Sequence, residues 1–451
     1  MAGNSIGRQF RITTFGESHG RAIGVVLDGV RPGLPIDTAA IQKELDRRRP
    51  GQSKVTTARK EADTVEILSG VFEGKTTGMP ICMVIWNTDQ RPQAYEKIKE
   101  MFRPGHAGYT YMAKYGINDY RGGGRSSGRE TAARVAAGAV AKSLLEKRGI
   151  RIIGYTLEAA GIRAKTFDAS VIEQNSLRAP DPVAASKMEQ RVLKVKKEGD
   201  SVGGIVEVVV QHPPVGLGEP VFDKLEADLA KALMSIGAIK GFEIGNGFAA
   251  ARLKGSENND PMYFDKKTKS VRTRTNRAGG IAGGISNGED IVMRIAVKPP
   301  SSIVIKQETV TTDLKPATIS VGGRHDPCIC PRVVPVAESM VALTILDHLT
   351  RQQLLKKKST LRDLRDGIDL IDHNILLLIS ERQNLVRQVG MVKKRRKAKI
   401  FDPGREKEIL RKQLPVAGDL GLDRDFARDL FIAIFKLAKS TQREESERRS
   451  G

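Results

Sequence analysis

Between Leu361 and Val392 apolar residues recur at steps of three and four with no proline to interrupt them, a spacing that lines one side of an α-helix and fits no strand. Leu361, Leu364, Ile368, Ile371, Ile375, Leu378, Val386, Val389 and Val392 carry the stripe, so the helix runs for roughly 50 Å at about 1.5 Å per residue. Asp402-Pro403 then offers an N-cap and a proline at the first position of a second helix, and Asp423 to Ser440 forms a third. So few helices cannot cover so long a stripe. The expected unit is a three-helix domain that a second copy completes by dimerisation.

The sequence before His348 has a different texture. Short β-branched runs, Ile23 to Leu27, Gly204 to Val210 and Asp290 to Val297, are mixed with helical stretches at Ala132 to Leu145 and Phe222 to Met234, which predicts an α+β fold. The Gly-rich segments Arg121 to Gly128 and Ala278 to Gly288 read as ligand-binding loops. RQQLLKKKST follows His348 and Leu349-Thr350, so the expected boundaries are 1–350 for the first domain, 351–359 for a linker and 360–451 for the helical domain.

The 75 Lys and Arg outnumber the 53 Asp and Glu, a formal net charge of +22 that calls for anionic partners. Several of these cations sit in Gly-rich loops beside Ser, Thr and His, which favours pockets for small anionic substrates over a smooth basic stripe. Aromatic residues, at 5% of the chain, are too few for the stacking that nucleic-acid surfaces use, and nucleic acid is not expected as a partner. Three cysteines, Cys82, Cys328 and Cys330, make no disulfide framework and suit the cytoplasm. His325 with Cys328 and Cys330 lacks a second ligand pair, so no metal is expected. The N-terminus has no apolar signal segment and no window has the unbroken apolar length of a bilayer span, so no membrane association is expected.

Chemistry in the helical part starts from two misplaced charges. At about 100° per residue, Arg382 and Lys393 fall about 20° apart, on or beside the stripe of Ile375, Leu378, Val386 and Val389. Cations on a face due for burial need an anion: either Asp402 or Glu406 from a neighbouring helix, which merely holds the helices in register, or a ligand. Arg365 lies about 100° off that line and is free to serve a partner's pocket. LRDLRDGIDLIDHNILLLISERQNLVRQVGMVK, followed by FDPGRE and a closing STQ, resembles the all-helical chorismate mutase family. The resemblance implies a six-helix dimer that binds the dicarboxylate through Arg365 of one subunit and Arg382 of the other. Lys393 and Gln442 would donate to the ether oxygen, and Asp402, Arg405 and Glu406 would complete the pocket. Ala438 departs from relatives that carry serine there. The competing reading is a non-catalytic dimerisation or regulatory ligand-binding module.

In the first domain, Gly16-Glu17-Ser18-His19-Gly20 has the wrong glycine spacing for a nucleophile elbow. Arg121 to Thr131, RGGGRSSGRET, leads into a helix and offers backbone N–H groups, serine hydroxyls, Arg125 and Arg129 to a phosphate. It is no Walker A loop, and no G-x-G-x-x-G follows a strand. Together with RRRPGQS, RPGHA, AGGIAGGIS and GRHDP, these motifs resemble chorismate synthase. The resemblance implies a β-α-β sandwich assembled as a homotetramer. It also implies anti-1,4-elimination of phosphate from 5-enolpyruvylshikimate-3-phosphate with reduced FMN and no net redox change. FMN would then contact Arg125, Ser126, Ser127, Gly237, Ala238, Gly283, the run Lys298, Pro299, Pro300, Ser301 and Ser302, and Arg324. Substrate anions would meet Arg48, Arg103, Arg129 and His19. His106 would protonate the reduced flavin or balance its charge, His19 would assist the leaving phosphate, and Asp326 would help the flavin take the proton from carbon. NADPH as the flavin's reductant would touch Arg48 and Lys54, the latter an arginine in relatives.

Overall fold

The computed structural model describes residues 3–53, 55–56, 61–88, 99–323, 325–355, 361–396, 399–419 and 421–447. The chain divides into two compact units, Met1–Lys356 and Lys357–Gly451.

The first unit is built on two five-stranded antiparallel sheets. One runs in the order Ser5–Ile6, Arg11–Gly16, Ala22–Asp28, Ile81–Trp86, Val65–Ile67, and the other in the order Ile239–Ile244, Ile291–Val297, Gly204–Gln211, Arg151–Ala159, Ile162–Arg163. Two helices fill the space between them. Thr131–Glu146 packs against strands of the first sheet and Cys330–Leu355 against strands of the second, and the helices pack on each other. The arrangement is a β-α-β sandwich. Its strands alternate as half-buried strands should, with Val206, Val208 and Val210 turned to the helices.

Small side chains let the helices approach. Thr131–Glu146 reads TAARVAAGAVAKSLLE and is buried on nearly every side, and at Gly138 an added Cβ would lie only 2.2 Å from Ser339 Cβ of the opposing helix. The helix at Cys330–Gln352 has the length and mean hydropathy of a membrane span, although charged residues interrupt it, and its most apolar window is 94% buried within the protein, because it is the centre of the sandwich. It continues to Leu355, beyond residue 350.

Two buried carboxylates brace this core. Glu338 accepts from Arg47, Lys142 and the Gly154 N–H; burial pushes its carboxyl up, but Lys142 and Arg47 outweigh that and bring it down to about 2. Asp347 Oδ1 accepts the N–H groups of Arg8, Gln9 and Phe10 at 3.0, 2.7 and 2.9 Å, pinning the N-terminal segment to the central helix. Asp347→Ala strands these donors and is expected to cost about 1–3 kcal/mol. A urea melt should show it as a lower midpoint with unchanged slope.

Among the described residues the second unit has three helices, Leu361–Arg395, Pro403–Asp419 and Arg424–Glu447. The last extends past Ser440. Asp402 accepts the Arg405 N–H at 3.0 Å, capping as expected, and Asp423, expected as the first residue of the third helix, instead stands before it and accepts the Phe426 N–H at 2.8 Å as its cap. The third helix packs on the other two and buries Val386, Ala427, Phe435 and Ala438. Ile368, Ile375, Leu378, Val389 and Val392 of the long stripe stay exposed.

Candidate active sites

Arg48 ends the helix Thr38–Arg48, and Arg129 stands just before the helix Thr131–Glu146. Both point inward and meet at Asp63. Arg48 Nη2 and Nε donate to Asp63 Oδ2 at 2.6 and 3.2 Å, and its Nη1 reaches Gly128 O at 3.0 Å and Thr131 Oγ1 at 3.3 Å. Arg129 Nη1 donates to Asp63 Oδ1 and lies 2.9 Å from Glu61 Oε2, while Nε reaches Asn87 Oδ1 at 2.8 Å and Nη2 Trp86 O at 3.2 Å. The four charged side chains are at most 2% exposed. Burial pulls the Arg48 guanidinium down to about 10, against the attraction of Asp63. Burial pushes Asp63 up, but Arg48 and Arg129 more than reverse this and hold it below the usual carboxylate range. Most donors of the two arginines are therefore spent on the protein itself. Asp63 adopts a left-handed backbone, φ +50°, which aspartate tolerates better than most residues.

A second cluster adjoins the first through Arg332, whose Nε donates to Arg48 O at 3.2 Å and whose Nη1 holds Asp326 at 2.5 Å. Arg103 Nη2 lies 3.0 Å from His106 Nε2, and Lys298 Nζ donates to Gly105 O at 3.1 Å. Gly105, at φ +68°, packs where an added Cβ would come 3.1 Å from Ser301 Cβ, so the RPGHA turn rests on the Lys298–Ser302 run. Burial, then Arg103, Lys298 and His325, push His106 down to about 4; burial, with Arg103, lowers His325. Cationic side chains and imidazoles around one place suit an anionic, planar group such as a flavin phosphate and ring.

The remaining positions fall nearby or are turned away. Arg125 donates to Gly16 O, Thr14 Oγ1 and Asn4 Oδ1, so it ties its turn to a strand edge. Ser126 Oγ donates to Gly123 O, and Ser127 Oγ accepts the Arg129 N–H. Gly237 lies beside Ser126, Ala238 takes φ +72°, and its carbonyl accepts the Lys298 N–H. Gly283, at φ +63°, has open space where a side chain would stand. Pro300 O accepts from Ser201 Oγ, and Pro299 packs near Gly203. His19 Nδ1 is 3.1 Å from Ser18 Oγ. Lys54 and Arg324 lie outside the described residues. Sequence reasoning missed Glu61, Asp63, Asn87 and Arg332: the first two sit in a polar stretch without glycine punctuation, Asn87 follows an apolar strand and Arg332 interrupts an apolar helix, and none has a motif spacing that marks it. Among the described residues no group of three His, Cys, Asp or Glu is placed to hold a metal ion, and Cys328 and Cys330 are buried free thiols.

In the helical unit, Arg382 and Lys393 do not pair with Asp402 or Glu406. Lys393 Nζ donates to Ile400 O at 2.8 Å, Asp402 serves as a cap, and Glu406 instead pairs with Lys439 at 3.1 Å. Arg405 pairs with Glu408, and Arg365 is exposed. Burial lowers the Arg382 guanidinium. Three buried polar atoms, Arg382 Nη1, Gln383 Nε2 and Gln442 Oε1, have no hydrogen-bond partner. Stranding polar atoms at a helix seam is costly unless a ligand meets them.

Residues 10–350 match the family described as chorismate synthase, and residues 364–443 the family described as chorismate mutase type II. The chain is 60% identical over 366 residues to chorismate synthase of Methanosarcina mazei and 57% identical over 363 residues to that of Chloroflexus aggregans. Each alignment takes in 80% of this chain and the whole of the relative. A crystal structure of chorismate synthase superposes with a TM-score of 0.64 at 31% identity, over 82% of this chain and 99% of that one. This polypeptide belongs to the chorismate synthase family and carries a type II chorismate mutase domain behind it.

Proposed function

We propose that the two units catalyse consecutive steps. The first forms chorismate by 1,4-elimination of phosphate from 5-enolpyruvylshikimate-3-phosphate, and the second rearranges chorismate to prephenate. The observation that supports the second step is the pair of buried donors without a partner, Arg382 Nη1 and Gln383 Nε2, which the carboxylates of an anionic substrate would satisfy. A Claisen-type rearrangement needs no nucleophile. It needs a compact substrate and donors where charge develops, here Lys393 and Gln442 at the ether oxygen, with Arg382 and the partner subunit's Arg365 on the carboxylates. The exposed stripe of the long helix supports the dimer that this requires.

For the first step, reduced FMN, when bound, would supply electron density for the C–O cleavage with no net redox change. Arg103, His106, Lys298, His325 and the turns at Gly237-Ala238 and Gly283 would hold it. His19 assists the departing phosphate, and Asp326, aimed by Arg332, serves the proton leaving carbon. Arg48 and Arg129 act mainly by holding the motifs together through Asp63; a nicotinamide contact at Arg48 requires its guanidinium to leave that carboxylate. Assembly as a tetramer and a cytoplasmic location belong to the same proposal; family resemblance supports the first and the small number of cysteines the second.

His106 supplies a titration test. Its folded value, about 4, lies below the ordinary 6.5, so the stability carried by its neutral ring is present above pH 6.5. It is lost as pH falls from there through about 4. An anion bound against the ring reverses the shift. An NMR titration of the ligand-free protein should place the imidazole midpoint near 4, and reduced FMN should move it upward; an unmoved midpoint rules out His106 as the flavin's counter-group.

The reading as a whole is tested by supplying the purified chain with 5-enolpyruvylshikimate-3-phosphate and reduced FMN. Chorismate should appear transiently and prephenate should accumulate. Chorismate as the end product leaves a synthase with a helical binding module.

A further inference from the structure

The strand Ile81–Trp86 is followed by Asn87, whose half-buried side chain joins segments far apart in sequence. Its Nδ2 donates to the carbonyls of Glu17 at 2.9 Å and Gly20 at 2.8 Å, and its backbone N–H donates to Arg21 O at 3.0 Å. Its Oδ1 accepts from Arg129 Nε at 2.8 Å. A primary amide has two donor hydrogens and one oxygen, and all are spent here; turning the group over would lose every bond. The turn it clasps is closed by Gly20 N–H to Glu17 O at 3.1 Å and carries His19. The imidazole is hemmed in further by Gly122, where an added Cβ would lie 2.4 Å from the ring.

We propose that Asn87 is the positioning residue for His19: it fixes the Glu17–Gly20 turn, and Arg129 in turn fixes the amide. The buried ion cluster at Asp63 thereby reaches the reacting end of the substrate without touching it. This rests on the assignment of His19 to the leaving phosphate, and the closing experiment separates the two claims.

Asn87→Asp keeps the size and the acceptor for Arg129 but sets a carboxylate against two carbonyl oxygens; Asn87→Ala removes the clasp without adding charge. Each should lower synthase kcat by about 10- to 100-fold with little change in KM, the penalty of a reacting group displaced by about 1 Å. Chorismate rearrangement by the same preparation should stay at the wild-type rate, and the urea midpoint of the first unit should match wild type, which shows that the synthase unit is folded. In a His19→Ala background the same substitutions should cost less than about twofold, because there is no longer an imidazole to misplace. Undiminished kcat in both variants, or a loss as large without His19 as with it, overturns the positioning role. Full activity of His19→Ala alone overturns the role of His19 instead. Should Asn87→Asp fail to fold, Asn87→Ala carries the same reading.

Discussion

Lys393→Ala should lower the rate of chorismate rearrangement by about 100- to 1,000-fold, the usual loss when one donor to developing negative charge is removed, while the synthase step on the same chain is unaffected. The size follows from where the charge goes. In the folded unit Lys393 rests on the Ile400 carbonyl, a neutral partner that leaves its charge uncompensated, whereas the nearby acid Glu406 is engaged by Lys439. The loss should fall mainly on kcat, since the ether oxygen gains its charge only as the bond breaks. Steady-state kinetics with purified chorismate decide it; a variant as fast as wild type would remove Lys393 from the chemistry.

The second large effect is expected from Asp63→Asn. Two buried arginines share this carboxylate, and removing one partner of a buried ion pair costs about 3–5 kcal/mol because the remaining charge is stranded. Glu61 stays near Arg129, so Arg48 bears most of the loss. Denaturant unfolding should show the first unit destabilised by that amount, with synthase activity lost in step, since the GESHG turn, the arginine turns and the Asp326 segment are tied through this cluster. Mutase activity should persist because the helical unit has its own core. An unchanged midpoint would mean that the cluster is dispensable.

Much of this was legible in one dimension. The long helix, its two successors and the cap at Asp402 follow from spacing and from capping chemistry that acts within a few residues. The Gly-rich turns were legible because their backbone conformations suit few other residues, as Gly105 and Gly283 illustrate. The central helix was harder to read. Its apolar residues run all round, so no amphipathic period marks it.

The partners of the arginines were not legible at all. Arg48, Arg125, Arg129 and Arg382 look alike as letters in basic motifs, yet Arg48 and Arg129 are neutralised by Asp63 and Arg125 is turned to a strand edge. Of these four, Arg382 is the one that keeps a buried nitrogen without a hydrogen-bond partner. The sequence by itself determined element type, caps and turn chemistry, since these depend on neighbours a few positions away. Tertiary structure alone decided which cations remain available to a ligand, because Coulomb attraction and desolvation depend on distance in space, and Asp63 meets Arg129 across 66 positions of chain.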